Sequence, residues 1–176
     1  IASVGINYEH AESACLFGDG AVAWVIERTP EHEYSEILFS QMETYSSGAE
    51  TCKIEAGGSK YHPRNNTKFD EKTNTLRPLF FMDGRRVFKQ ASTVAPDFFA
   101  RVQKESGFDL LKDIQLFIPH QASKSGMEIV RRKLEIPDEK FMNILSNHGN
   151  MISVSIPLAL SYAVEEGRVK RGDKIM

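Results

Sequence analysis

The sequence predicts an α/β layered fold, and three observations predict it. Residues 21–26 are apolar on successive positions, as a strand buried on both faces is, and residues 114–118 are strand-like as well. Val87, Phe88, Ala91, Val94, Ala95, Phe98, Phe99 and Val102 fall instead at helical spacing along one face. Strand-like and helix-like stretches then alternate toward the C-terminus, the pattern of a sheet covered by helices.

Taken in order, residues 14–17 form a short apolar stretch that Gly18-Asp19-Gly20 breaks. Residues 21–26 follow as a strand buried on two sides, and Ile37, Phe39, Gln41 and Met42 suggest another. From 46 to 79 the pattern dissolves into Gly, Ser, Asn, Thr and charge, a length of loop that usually belongs to function or disorder. Asp83 is positioned to cap the next helix by offering an oxygen to its first free amides. Pro96 interrupts that helix, so a kink or a join between two helices is expected there. Residues 114–118 read as a strand leading into Pro119-His120.

Residues 123–134 then form a helix with Met127, Val130 and Leu134 inward and Lys124, Arg131, Arg132 and Lys133 partly outward. Residues 141–145 are a short strand candidate, and Asn147-His148-Gly149-Asn150 is a turn. Ser155-Ile156-Pro157 opens a last helix through Val164, with Pro tolerated in its first turn. The chain carries no internal repeat and no low-complexity tract.

Composition narrows the class. A chain of 176 residues with 41% hydrophobic and 26% charged side chains can bury a sizeable core. A net charge of −2 points to neither nucleic acid nor an anionic membrane, although local basic clusters could still meet an acidic partner. Cys15 and Cys52 form no CxxC pair, which gives a metal site no support; they read as idle thiols in a reducing cytosol rather than a disulfide. Asn65-Asn66-Thr67 matches a glycosylation acceptor but no signal peptide accompanies it. No apolar run approaches the roughly 20 residues that cross a bilayer, so a soluble, cytoplasmic protein is expected. Both ends read as cut, Ile1 within an apolar stretch and Met176 just after a strand has begun.

The sharpest chemical feature is His120, after a buried-looking strand and before a helix, where open α/β sheets place their sites. Taken alone, such a His is more often structural or solvent-facing. Asn150 sits in a Gly-bearing turn, again between strand and helix, and alone would be a turn residue. Together they gain meaning. A neutral imidazole N–H and an amide NH₂ both donate without net charge, and two such donors on one oxygen make a hole for an enolate or oxyanion.

Four ordered motifs carry a resemblance. Phe17-Gly18-Asp19-Gly20-Ala21, Pro119-His120-Gln121-Ala122, His148-Gly149-Asn150 and Ser155-Ile156-Pro157 are similar in order and spacing to the C-terminal half of the ketoacyl-acyl carrier protein synthase III family. Met82, Gly84 and Val87-Phe88-Lys89 resemble the family's segment before its long helix. The resemblance implies a thiolase-like layered fold: residues 1–45 as closing strands of an N-terminal half, 46–79 as a loop or insertion, and 80–176 as the C-terminal half, truncated at its last strands. It implies an acyltransferase that loads an acyl primer on a cysteine and condenses it with a malonyl unit by decarboxylative Claisen chemistry. His120 and Asn150 match the family's catalytic pair and would hold the malonyl thioester carbonyl. Met82, Gly84, Phe88 and Ser123 match positions lining the acyl pocket or pantetheine tunnel, with core packing an equal reading for Met82 and Phe88. Lys89, Lys124, Arg132 and Lys133 are implied docking residues for an acidic carrier protein, or simply a solvated helix face. The resemblance implies no cofactor, with coenzyme A and carrier-protein thioesters as substrates, acyl carrier protein and acyl-coenzyme A as partners, and a homodimer.

The nucleophilic cysteine belongs to the family's other half. Cys15 is expected on the strand before the Gly-Asp-Gly turn, and neither it nor Cys52 has neighbours that would lower a thiol pKa. This chain therefore reads as half of an active site, inactive alone. Met151-Ile152 replaces the family's small Thr-Ser pair and Val22 stands where Gly is usual, which bears on the substrate more than the reaction. Gly149-Asn150-Met151 is also similar to plant-type polyketide synthases, which lack the Pro-His-Gln-Ala string. Two other readings stay open: a non-catalytic thiolase-fold partner or scaffold, and a type III polyketide-synthase-like enzyme.

Overall fold

The structure is a computed structural model that describes residues 3–57, 61–62, 69–70, 75–76 and 79–176. Its centre is residues 114–118, whose side chains at 116, 117 and 118 are all buried. Parallel hydrogen bonds tie this segment to two neighbours. On one side the Gln115 N–H donates to Lys174 O (2.8 Å), Met176 N–H to Leu116 O (3.0 Å) and Ile118 N–H to Met176 O (2.7 Å). On the other, the Phe117 N–H donates to Lys140 O (2.8 Å) and Met142 N–H to Phe117 O (2.9 Å). With Leu116, Phe117 and Ile118 buried in succession, this segment is the middle line of a three-segment ladder, as a strand covered on both faces is.

Helices cover both faces. Leu116, Ile118, Met142 and Ile144 pack with Met151, Ala159, Ala163 and Val169 under α6 (Ser155–Glu165). Ile114, Phe117 and Phe141 pack with Val102 of α2 (Gly84–Ser106) and Met127 of α4 (Lys124–Lys133). Ala159 and Ala163 are fully buried, four residues apart, so α6 approaches the ladder closely through its smallest side chains.

Local signals explain the helix starts. Asp83 caps α2 as expected, its Oδ1 accepting from the Arg86 N–H at 3.0 Å. Ser123 caps α4, its Oγ accepting from the Gly126 N–H at 3.1 Å. α2 ends at Gly107, which adopts φ 75°, the left-handed stop that favours glycine. Two four-residue helices, α1 (Ala11–Ala14) and α3 (Leu110–Asp113), are too short for periodicity to reveal. No helix among the described residues is long and apolar enough to cross a membrane.

Several expectations are corrected. α2 runs through Pro96 as one helix, so no join occurs there. Proline lacks the N–H that would bond the Ser92 carbonyl, and Lys133 Nζ on α4 donates to that carbonyl instead at 2.9 Å. Residues 21–26 are not a buried strand: Val25 and Ile26 are 95% and 89% exposed, because no described segment pairs with them. Residues 37–42 make no ladder either; Phe39 packs into the core while Ile37 and Met42 remain exposed. Cys15 does not lie on a strand but caps the end of α1 in helical conformation. Residues 141–145 split, Phe141 and Met142 joining the ladder and Leu145 opening α5 (Leu145–His148).

The polar excursion is not structureless. β1 (Cys52–Ile54) pairs antiparallel with β4 (Phe80–Met82), and β2 (Phe69–Asp70) pairs with β3 (Thr75–Leu76). The Asn65-Asn66-Thr67 tripeptide lies outside the described residues. Cys15 and Cys52 are both free thiols.

Candidate functional site

Asn150 is placed by residues more than a hundred positions away. Its N–H donates to Leu16 O (2.8 Å) and its carbonyl accepts from the Gly18 N–H (3.1 Å), a parallel bridge between Phe17 and Asn150. Two glycines make this approach feasible. A Cβ on Gly18 would stand 1.8 Å from the His148 carbonyl oxygen, and one on Gly149 would stand 2.9 Å from the Gly18 nitrogen. Gly149 also adopts φ 68°, ψ −172°, a region that only glycine enters readily. The Gly-Asp-Gly motif therefore acts as the seat of the Asn150 turn.

The Asn150 side chain is oriented as well as placed. Its Oδ1 accepts from the Ile152 N–H at 2.9 Å, which leaves Nδ2 as the donating end of the carboxamide. Ile152 pays for that contact with φ 56°, a strained value for a β-branched residue. Ser155, fully buried at the start of α6, accepts from the Met151 N–H at 3.1 Å and holds the other side of the turn.

His120 stands where the central segment leaves the ladder, between Pro119 and α4. The residue is exposed, and its imidazole makes no hydrogen bond among the described residues. Neighbouring protein removes enough water to push its pKa below the ordinary histidine value. A neutral ring is the form with a single N–H donor and no net charge. Ile118, two residues before His120, and Met151, next to Asn150, lie in the same buried cluster, so both loops spring from one core.

The remaining expected residues fall in three groups. Met82 closes β4 and Gly84 opens α2, where a Cβ would meet Met82 Cε at an ordinary 3.6 Å. Phe88 on α2 and Ser123 are brought together around Gly126: a Cβ there would be 3.9 Å from the Phe88 ring and 2.7 Å from Ser123 Oγ. Lys89, Lys124, Arg132 and Lys133 are exposed on α2 and α4. Arg132 pairs with Glu128, and Lys133 is engaged by the Ser92 carbonyl, so Lys89 and Lys124 are the less committed cations. Cys52 is a poor nucleophile here, since burial raises its thiol pKa.

Sequence reasoning passed over Gln121, the most buried polar side chain beside His120. Its surface exposure is 0%. Its Nε2 donates to Pro119 O (2.9 Å) and Met142 O (3.2 Å), and its Oε1 accepts from the Ile144 N–H (2.9 Å). A glutamine two positions after a proline that ends a buried strand was the available signal.

Comparison with known proteins places the chain in a family. Residues 106–176 match the family described as 3-oxoacyl-[acyl-carrier-protein (ACP)] synthase III C terminal, and residues 1–46 match 3-oxoacyl-[acyl-carrier-protein (ACP)] synthase III. A beta-ketoacyl-[acyl-carrier-protein] synthase III of Campylobacter fetus is 35% identical over 173 residues, 97% of this chain and 49% of the relative. One from Clostridium perfringens is 31% identical over 180 residues, 99% of this chain and 51% of its own length. The synthase III structure from Pseudomonas aeruginosa superposes with a TM-score of 0.79 at 25% identity, over 99% of this chain and 50% of that one. That from Thermus thermophilus gives 0.74 at 28% identity, over 98% and 50%. The chain thus spans about half the length of the relatives it matches, and its layered α/β architecture is the thiolase-like one. On both sequence and fold, this chain belongs to the 3-oxoacyl-[acyl-carrier-protein] synthase III family.

Proposed function

We propose that this chain supplies the half of a condensing site that holds the malonyl thioester, in an acyltransferase of fatty-acid or related synthesis. The observation that carries the reading is the oriented carboxamide of Asn150, whose Oδ1 is occupied by the Ile152 N–H so that Nδ2 is the end left to donate. His120, kept neutral by desolvation, is the second donor. Loss of carbon dioxide from a malonyl thioester leaves an enolate on the thioester oxygen. Two uncharged donors at that oxygen stabilise the developing charge without stabilising the starting carboxylate, which is what lowers the barrier. The resulting carbanion attacks an acyl group on a cysteine that this chain does not supply, and the thiolate leaves.

The reading has further parts. Residues 1–45, 46–79 and 80–176 divide into the end of one thiolase half, an insertion, and the second half. Met82, Gly84, Phe88 and Ser123 border the acyl and pantetheine path. Lys89 and Lys124, with Arg132 and Lys133, face the acidic acyl carrier protein. Acyl-coenzyme A is the primer donor, no cofactor takes part, and the enzyme is a cytoplasmic homodimer. Exposed Trp24, Val25 and Ile26 support a remaining half that covers them, since contiguous apolar exposure marks an interaction surface.

The test uses the intact protein. His120→Ala and Asn150→Ala should each lower malonyl-thioester decarboxylation by about 10²–10³ while cysteine acylation continues. Unchanged condensation in both variants would refute the assignment.

A further inference from the structure

The parallel ladder between residues 114–118 and 140–142 stops at a proline, and a side chain completes its next rung. In a parallel pair, every second residue of one strand donates to one residue of its neighbour and accepts from the residue two further on. Phe117 does so with Lys140 and Met142. The next residue in register is Pro119, which would donate to Met142 O and accept from the Ile144 N–H. Proline has no N–H to give. The Gln121 carboxamide takes both places: Nε2 donates to Met142 O at 3.2 Å and Oε1 accepts from Ile144 N–H at 2.9 Å. The same Nε2 donates to Pro119 O at 2.9 Å, so the substitute rung is fastened to the departing chain.

We propose that Gln121 is a positioning residue for His120, fixing the imidazole by replacing the ladder rung that Pro119 cannot make. His120 lies between the two residues so joined, and the Ala122 N–H closes the turn onto His120 O at 2.9 Å. A fully buried amide is costly unless every polar atom is bonded, and an apolar side chain of similar volume would fill the same space. What the amide adds is register: with Pro119 alone the chain would leave the ladder with no fixed point beyond Ile118. The inference rests on the catalytic reading of His120 for its consequence, but not for its geometry.

The experiment compares Gln121→Met with wild type in the intact protein, following malonyl decarboxylation, cysteine acylation and the NMR titration of the His120 ring. Decarboxylation should fall about 10- to 100-fold, the cost of a misplacement near 1 Å, while acylation stays within about twofold. The His120 midpoint, depressed in the wild type, should move toward the ordinary value as the ring loosens from its surroundings. In a Pro119→Ala background the backbone can make its own rung, so Gln121→Met should cost less stability there than alone. That pair also serves if Gln121→Met by itself does not fold. A parallel fall in acylation and decarboxylation, an unmoved His120 titration, or failure of both proteins to fold would assign Gln121 to the core alone and overturn the proposal. If His120→Ala leaves decarboxylation intact, the catalytic reading fails, and the His120 titration still decides the role of Gln121.

Discussion

Gly18→Ala is the substitution that most directly tests how Asn150 is seated. The new Cβ would lie 1.8 Å from the His148 carbonyl oxygen, whereas ordinary contact begins at 3.4 Å. The obstacle is backbone on both sides, so neither partner can rotate away. The two segments must part by roughly 1.6 Å, the gap between those two distances. The Gly18 N–H to Asn150 O bond, at 3.1 Å, and the Asn150 N–H to Leu16 O bond, at 2.8 Å, do not survive such a shift. Each is worth about 1 kcal/mol net, and a buried group left without a partner costs about 1–3 kcal/mol, so a loss of about 2–4 kcal/mol is expected. Urea unfolding of the intact protein measures it as a lower midpoint at unchanged slope. Gly20→Ala is the control: its Cβ would meet the Met151 sulfur at 2.6 Å, the movable end of a flexible side chain, and should cost only about 1 kcal/mol. Decarboxylation in Gly18→Ala should fall with the displacement of Asn150. A Gly18→Ala protein within 0.5 kcal/mol of wild type would show that the bridge does not seat the turn.

The remaining predictions concern charge and proline. Lys133→Met should lower stability by about 0.5–1 kcal/mol, and Pro96→Ala should abolish that sensitivity by returning a helix N–H to the Ser92 carbonyl; additive effects in the double mutant would disprove the link. Arg101 donates to both oxygens of Glu43, and with Tyr45 holds its pKa at about 2 rather than 4.5. A carboxyl depressed on folding stabilises the native state above its unfolded pKa and loses that effect as pH falls from about 4.5 to 2, so acid unfolding should be shallower across that window in Glu43→Gln. The His120 ring should titrate below the ordinary histidine midpoint of 6.5, read by NMR; a midpoint above it would mean a charged partner faces the ring.

What the sequence disclosed, and what it withheld, follows the range of the interactions involved. The Asp83 cap and the strand at 114–118 rest on neighbours within a few residues or on the pattern of one strand, and both are found. The His120 loop is legible as a junction between a strand-like and a helix-like stretch, whereas the Asn150 turn, expected in the same way, follows the short helix α5 and not a strand. Burial of residues 21–26 was expected because their pattern requires a covering surface; pattern alone does not say that the cover must come from within this chain. β1 and β4, at three residues each, are too short for alternation to stand out against the polar excursion that contains them. The seat of Asn150 on Gly18 depends on two glycines 131 positions apart, a pairing that no local window contains.

The same logic joins the two prolines that interrupt regular structure. Pro96 frees the Ser92 carbonyl within α2, and Pro119 leaves Met142 O without the backbone donor its ladder position calls for. In each case a side chain from another position supplies the missing N–H: Lys133 Nζ from α4, and Gln121 Nε2 from two residues ahead. The outcomes differ because the places differ. At the α2–α4 contact the repair is exposed, made by a flexible chain, and serves only to dock one helix on another. Beside His120 the repair is fully buried, uses a donor and an acceptor together, and leaves the backbone free to turn while its register stays fixed. A strand that simply continued would carry residue 120 on along the ladder; one that ended without a substitute rung would let it wander. The Pro-His-Gln order permits a sharp departure and a fixed position at once, and the catalytic reading of His120 requires both.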